Sequence, residues 1–304
     1  METGRESVRA RAFAKINLGL AVLGTRADGY HLLRTGMQSI SLADELLLTR
    51  TEEAGITLCC DEPSLPTDGR NLAVRAAEAV FRHCGLSGGV RIELKKRIPA
   101  EAGLGGGSAD AAAVLRGLRA LFALPLGDEA LRALALPLGA DVPFCVSGGT
   151  MLAEGIGEAL SPLSPMPPCH LVVVKPPCGS STKAVYAALS LSAMAPWEQP
   201  DARLLENALQ GQNVTLLGAS LQNALEKPAT ELYPVLLDYR QFLTESGAAG
   251  AAMSGSGSAF FAVFPEAERD RAEQCIATGK EQFPAATFFL CRPVSAEEVS
   301  ASTL

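Results

Sequence analysis

The chain has 304 residues, 48% of them hydrophobic, which is enough for one large domain or two ordinary ones around a sizeable core. A formal net charge of −7, a pI near 5.2 and the lack of any long Lys/Arg block exclude the basic face of a nucleic-acid or membrane-surface binder. Eight cysteines with no CxxC pair argue against zinc and a disulfide framework; with a charged start and no apolar run of ~18 residues, a reduced cytoplasmic setting without export or anchor is expected.

From Val8 to Leu23 the residues favour extended structure, interrupted at "RADGYH" (26–31), where Asp28-Gly29 is turn chemistry, and resuming through "LLRTGMQSISL" and "ELLLTR". "NLAVRAAEAVFRHCG" has helical spacing with Gly85 as its stop, and "GVRIELKKRI" alternates like a half-buried strand. "GLGGGSADAA" (103–112) follows. Beyond it Ala111, Leu115, Leu118 and Phe122 share one helical face while Arg116 and Arg119 fall off it, which predicts an amphipathic helix with Ser108 in its first turn. Prolines 162, 165, 167 and 168 can continue neither a helix nor a central strand, so we expect a domain boundary there, dividing 1–163 from 164–304. The remainder reads as strand "HLVVVKP", helices near Lys183–Leu189, Asp201–Leu209 and Glu231–Glu245, a glycine-serine loop, strand "AFFAVF", helix Glu266–Gly279 and strand "TFFLCRPV". That order suits helices packed on one side of a small, mainly antiparallel sheet, an α+β arrangement.

Bare backbone at the start of a helix lets N–H groups approach a phosphate where the helix dipole is positive, although a tight turn has the same composition. No Lys follows the glycines as GxxxxGK[ST] requires, and Asp110 stands where a dinucleotide fingerprint needs Gly or Ala. Ser108 suits a magnesium ligand or a helix cap, and Asp110 in the first turn suits the dipole. Taken singly, Lys15 reads as a solvated strand lysine, Asp141 as a turn initiator and Tyr186 as a core-facing helix residue.

Together, "AKIN" (14–17), the glycine stretch, "GADVPF" (139–144) and "GAAMSGSGSAFF" (250–261) resemble the GHMP kinase superfamily in order and spacing across nearly the whole chain. The resemblance implies an N-terminal domain like ribosomal protein S5 domain 2, a C-terminal ferredoxin-like domain, and an active site in the cleft between them. It implies that Pro99, Ala100, Glu101, Ala102, Gly103, Leu104, Gly105, Gly106, Gly107, Ser108 and Ala109 wrap the triphosphate of ATP, that Asp141 is the catalytic base and that Lys15 is its partner. Phosphoryl transfer to an alcohol needs such a pair, a carboxylate to take the proton and a cation beside the loose transition state. "RADGYH" after "AKIN" looks most like the branch that phosphorylates a cytidyl diphosphate sugar alcohol, 4-diphosphocytidyl-2-C-methyl-D-erythritol, on the way to isoprenoid precursors.

In that branch Tyr30, His31 and Tyr186 are implied to hold the cytosine, Asn17 to face the acceptor hydroxyls, and Asn71 and Lys96 to lie by the adenine, with Mg2+ accompanying ATP through ligands the sequence leaves unknown. The Ser254–Ser258 loop is implied to close over the acceptor. Two positions depart from the pattern: Ala109 replaces a common second serine, and Ala224 a frequent aspartate. Competing readings are a kinase of a homoserine- or mevalonate-like alcohol, a non-catalytic sensor on the same fold, and an S5-like nucleic-acid binder, the last disfavoured by the acidic balance.

Overall fold

The computed structural model of the protein describes residues 5–27, 29–190 and 199–304, so Asp28 of the expected Asp28-Gly29 turn lies outside the described residues. Either side of that turn the extended runs form two long strands, β1 (Ser7–Thr25) and β2 (His31–Thr51), paired antiparallel. Register shifts interrupt the pairing at Phe13/Lys15, Asn17/Gly19 and Val22/Gly24. Each shift re-aims the side chains that follow, and Lys15 and Asn17 stand between the first two.

On the edge of β2 away from β1, no single neighbour spans the strand. Its Glu45–Thr51 end pairs with β4 (Gly89–Lys95), which lies parallel to β3 (Gly55–Cys60), and its Leu33–Gln38 part pairs with β5 (Thr150–Gly155), which continues into β6 (Ala159–Pro162). Onto the other edge of β1 a two-residue strand, β8 (Gln222–Asn223), adds in parallel.

Helices α1 (Leu72–Cys84) and α2 (Gly106–Leu121) pack together over this sheet, α1 ending at Gly85 as the spacing predicts. The amphipathic reading of α2 is corrected: Arg116 is 2% exposed, and the helix is buried on nearly every side. Its guanidinium donates to the carbonyls of Cys145 (2.6 Å) and Arg11 (3.1 Å), so a charge that spacing assigns to solvent is satisfied by backbone.

The chain crosses at 163–168 to a four-stranded antiparallel sheet, ordered β11 (Thr287–Cys291), β7 (Cys169–Lys175), β10 (Phe260–Pro265), β9 (Gly250–Met253). Helices cover both faces of it, not one. Val172, Val174, Phe260, Ala262 and Phe264 join Tyr239 and Leu243 of α9 (Leu236–Glu245) and Ala272 and Cys275 of α10 (Arg269–Gln282) in one core. Alternate residues Leu171, Val173, Phe261 and Val263 join Leu205 of α6 (Ala202–Gln210), Leu217 of α7 (Val214–Ser220) and the core of the first sheet. Burial on both faces explains why "HLVVVKP" and "AFFAVF" are apolar runs without alternation.

The helix expected over Glu231–Glu245 is two, α8 (Glu226–Leu232) and α9, separated at Pro234. Of the short helices, α3 (Asp128–Ala135) packs on α4 (Val142–Ser147), while α5 (Thr182–Ala188) and the residue before α4 reach the cleft. The C-terminal α11 (Ala296–Ala301), held by a Ser295/Glu298 capping box, returns to the first sheet, where Arg9 and Leu304 exchange backbone hydrogen bonds. Among the described residues no helix is long and apolar enough to cross a membrane.

Candidate active site

The glycine stretch forms the wall between two spaces. A cavity of about 1100 Å³ is lined on one side by Lys15, Asn17, Tyr30, His31, Asp141 and Tyr186; a groove of about 290 Å³ is lined on the other by Asn71, Leu72, Lys96 and Pro99 through Gly107. Gly103 and Gly105 border both, and Ser108 faces the larger. Ala109 is buried and borders neither.

Packing accounts for two of the glycines directly. Gly103 has φ +72, and a Cβ there would stand 2.0 Å from the carbonyl oxygen of Ser254; Gly105 has φ +71, and its Cβ would stand 3.0 Å from Lys15 Cγ. Gly105 is the N-cap of α2 and no side chain caps the helix, which corrects the capping role considered for Ser108. The first-turn N–H groups of Gly106, Gly107 and Ser108 therefore have no intrahelical partner. Backbone donors at a positive helix end, reached without a Cβ, form an anion cradle.

Lys15 is 4% exposed, a buried lysine in place of the solvated strand residue. Its ammonium donates to Asn17 Oδ1 at 2.8 Å and lies 3.6 Å from Asp141 Oδ2, while Asn17 Nδ2 donates to Thr35 Oγ1 at 2.8 Å on β2. Asp141 precedes α4 with no side-chain capping bond, leaving its carboxylate directed into the cavity at 39% exposure. In the same cavity the His31 ring lies 4.8 Å from that of Tyr186, tilted by 34°. Tyr186 is half-buried, Val185 being the α5 residue that enters the core, and burial pushes its phenol up to about 12, so it is neutral at any working pH.

Lys96 borders the groove, but its ammonium is held by carboxylates: it donates to Asp44 Oδ2 and to Asp110 Oδ2 at 2.6 Å. Asp44, fully buried, also accepts from the backbone N–H of Arg97 and Ile98. Asp110 is corrected from a dipole-complementing first-turn acid to a buried member of this cluster, with Oδ1 unpartnered among the described residues. Burial above all, with Asp44 adding to it and Lys96 opposing it, pushes the Asp110 carboxyl up to about 8. Asn71, beside the groove, uses its amide to cap α1 at Ala73 and to donate to the Pro66 carbonyl.

The Ser254–Ser258 loop lies against the glycine stretch, with Ser254 Oγ on the Gly103 carbonyl at 2.9 Å, and Gly255 and Ser256 border the larger cavity. Sequence reasoning missed what fastens it. Asn223 Nδ2 donates to the carbonyls of Met253 (2.8 Å) and Gly255 (2.7 Å), Glu226 Oε2 accepts from Met253 N, and Thr182 Oγ1 meets Ser256 Oγ at 2.8 Å. The signal was present in "NALE", where the asparagine and glutamate hold the loop and the buried Ala224 between them does not.

Residues 71–149 match the family profile of the GHMP kinases N terminal domain, and 202–284 that of the GHMP kinases C terminal domain. A 4-diphosphocytidyl-2-C-methyl-D-erythritol kinase of Acetivibrio thermocellus is 43% identical over 259 residues, 85% of this chain and 90% of that protein. One from Clostridium botulinum (strain Eklund 17B / Type B) is 40% identical over 273 residues, 90% of this chain and 96% of that protein. A crystal structure of 4-(cytidine 5'-diphospho)-2C-methyl-D-erythritol kinase, 38% identical, covers 93% of this chain and 99% of its own with a TM-score of 0.77. Homoserine kinase from Cytophaga hutchinsonii shares the fold, with a TM-score of 0.79 at 20% identity over 97% of this chain and 98% of its own.

Proposed function

Since the chain belongs to the GHMP kinase family and is an ATP-dependent small-molecule kinase, we propose that it phosphorylates the 2-hydroxyl of 4-diphosphocytidyl-2-C-methyl-D-erythritol in non-mevalonate isoprenoid precursor biosynthesis. One observation carries the choice of acceptor: the His31–Tyr186 ring pair sits in the same cavity as Lys15 and Asp141. A homoserine- or mevalonate-like alcohol has no base for such a pair to read.

In this reading the cradle from Pro99 to Ser108 takes the triphosphate, with Asn71 and Lys96 bordering the space left for the adenosine. Asp141 accepts the proton of the attacking hydroxyl as the bond to phosphorus forms, and Lys15, 3.6 Å away and steadied by Asn17, faces the charge of the moving phosphoryl group. Tyr30, His31 and Tyr186 take the cytosine by stacking and edge hydrogen bonds, and Asn17 faces the acceptor hydroxyls. Ser108 and Asp141 offer hard oxygen donors of the kind Mg2+ takes alongside phosphate oxygens, and the ion would neutralise triphosphate charge. The division into 1–163 and 164–304 belongs to the same proposal, supported by the crossing between sheets at 163–168, and so does a cytoplasmic setting, supported by eight free cysteines.

A coupled ADP-release assay across a panel of alcohols tests the acceptor. Turnover confined to the cytidyl diphosphate compound is expected; strong turnover with homoserine or mevalonate and none with that compound overturns the proposal.

A further inference from the structure

We infer that Lys183 receives the diphosphate of the acceptor and so measures its distance from base to reacting hydroxyl; the inference rests on the acceptor proposed above. Three charged residues border the larger cavity among the described residues: Lys15, Asp141 and Lys183. Lys15 and Asp141 face each other at 3.6 Å, and as a pair they contribute no net charge to a wall that must accept two phosphates. Lys183 makes no hydrogen bond or ion pair among the described residues.

Its place along the cavity fits the order of groups in the ligand. Lys183 and Tyr186 stand three residues apart on α5, on neighbouring positions of the face that also brings Thr182 and Ala187 to the cavity. The step from Tyr186 to Lys183 is ~4.5 Å along the helix axis, away from the ring pair and toward the loop that Thr182 grips through Ser256. That loop leads on to the catalytic pair, since a Cβ on Gly255 would lie 3.2 Å from Lys15 Nζ. Along α5 the wall thus offers the aromatic pair, then the cation, then Thr182 at the loop that borders Lys15, and the ligand runs from base through diphosphate to sugar alcohol. A lysine suits the middle station, because a point charge on a flexible stem can follow either phosphate.

The test measures binding of CDP and of cytidine by calorimetry, with the nucleotide groove filled by a non-hydrolysable ATP analogue, in the parent, Lys183→Met and Tyr186→Ala. The parent is expected to prefer CDP over cytidine by roughly 10- to 100-fold, the worth of a charge-assisted contact. Lys183→Met, which keeps the aliphatic stem, should erase that preference and leave cytidine binding unchanged, and Lys183→Arg should restore most of it. Tyr186→Ala should weaken both ligands in parallel. In turnover Lys183→Met should raise KM for the cytidyl substrate by a similar factor with KM for ATP unchanged. A Lys183→Met protein that retains the parent's CDP preference overturns the inference alone. A parent that binds neither ligand overturns the cytidyl acceptor and the role of Lys183 together.

Discussion

Two lysine–carboxylate arrangements flank the glycine stretch from opposite sides, and their geometry gives them opposite uses. Lys15 Nζ lies 3.6 Å from an Asp141 carboxylate that is 39% exposed; Lys96 Nζ lies 2.6 Å from Asp110, 4% exposed, and also grips the fully buried Asp44. The second cluster has its ammonium enclosed by carboxylates and ties the Arg97–Ile98 backbone to β2, so it fixes the approach to the glycine stretch and has little freedom to meet a ligand. The first is loose and faces a cavity, which is what a group that must take up a proton requires. A lysine beside an aspartate is therefore no sign of catalysis until distance and solvent access are known.

The sharpest break in the comparison is Asp141→Asn. The amide keeps the shape of the cavity wall but cannot take the hydroxyl proton, so kcat should fall ~10² to 10⁴-fold, about 3 to 5 kcal/mol of barrier. Because the contact is long, Asp141 is its partly exposed member and the buried Lys15 keeps its hydrogen bond to Asn17, the unfolding midpoint should move little. Steady-state kinetics and thermal unfolding on the same preparation check both halves; near-normal turnover would move the base elsewhere.

Lys96→Met should invert that pattern. Removing the ammonium leaves two buried carboxylates facing one another, a loss on the order of 3 to 5 kcal/mol of folding stability read by urea unfolding. If stability holds and only KM for ATP rises, Lys96 is chiefly a nucleotide ligand and the division of labour between the two arrangements fails.

The contrast also explains what the sequence made legible. Strands β1, β2, β4, β7, β10 and β11 and helices α1, α2, α6 and α10 declare themselves through local composition, apolar runs, periodicity or stop residues, and the motifs at 14–17, 103–112 and 139–144 come together around one glycine wall. What stayed hidden depends on partners distant in the chain. Asp44 reads as the first of two adjacent acids, Asp44-Glu45, in a largely apolar strand, and its role exists only because Lys96, Arg97 and Ile98 are brought to it from 52 to 54 positions away. Arg116 left the expected polar face because Cys145 and Arg11 supply carbonyls that helical spacing cannot foresee. Asn223 and Glu226 matter through a loop thirty or so positions downstream.

The smallest expected effect is the pH dependence that Asp110 gives to the buried cluster. The Asp110 carboxyl sits near 8 in the folded protein against 3.8 for an ordinary aspartate, so between those values the native state holds a proton that the unfolded chain has released. Protons bound more tightly by the native state make stability fall as pH rises; the penalty begins above about 4, grows toward 8 and is constant beyond. The slope for one proton is at most about 1.4 kcal/mol per pH unit, and sharing with Asp44 and Lys96 reduces it. Asp110→Asn removes this titration while Lys96 keeps Asp44, so the variant should gain on the parent steadily as pH rises from 5 to 8 in urea unfolding (a window of ~3 units). Parallel stability curves would mean that Asp110 stays ionised beside Lys96 throughout, an ordinary buried ion pair, and that the difference between the two arrangements lies in their exposure alone.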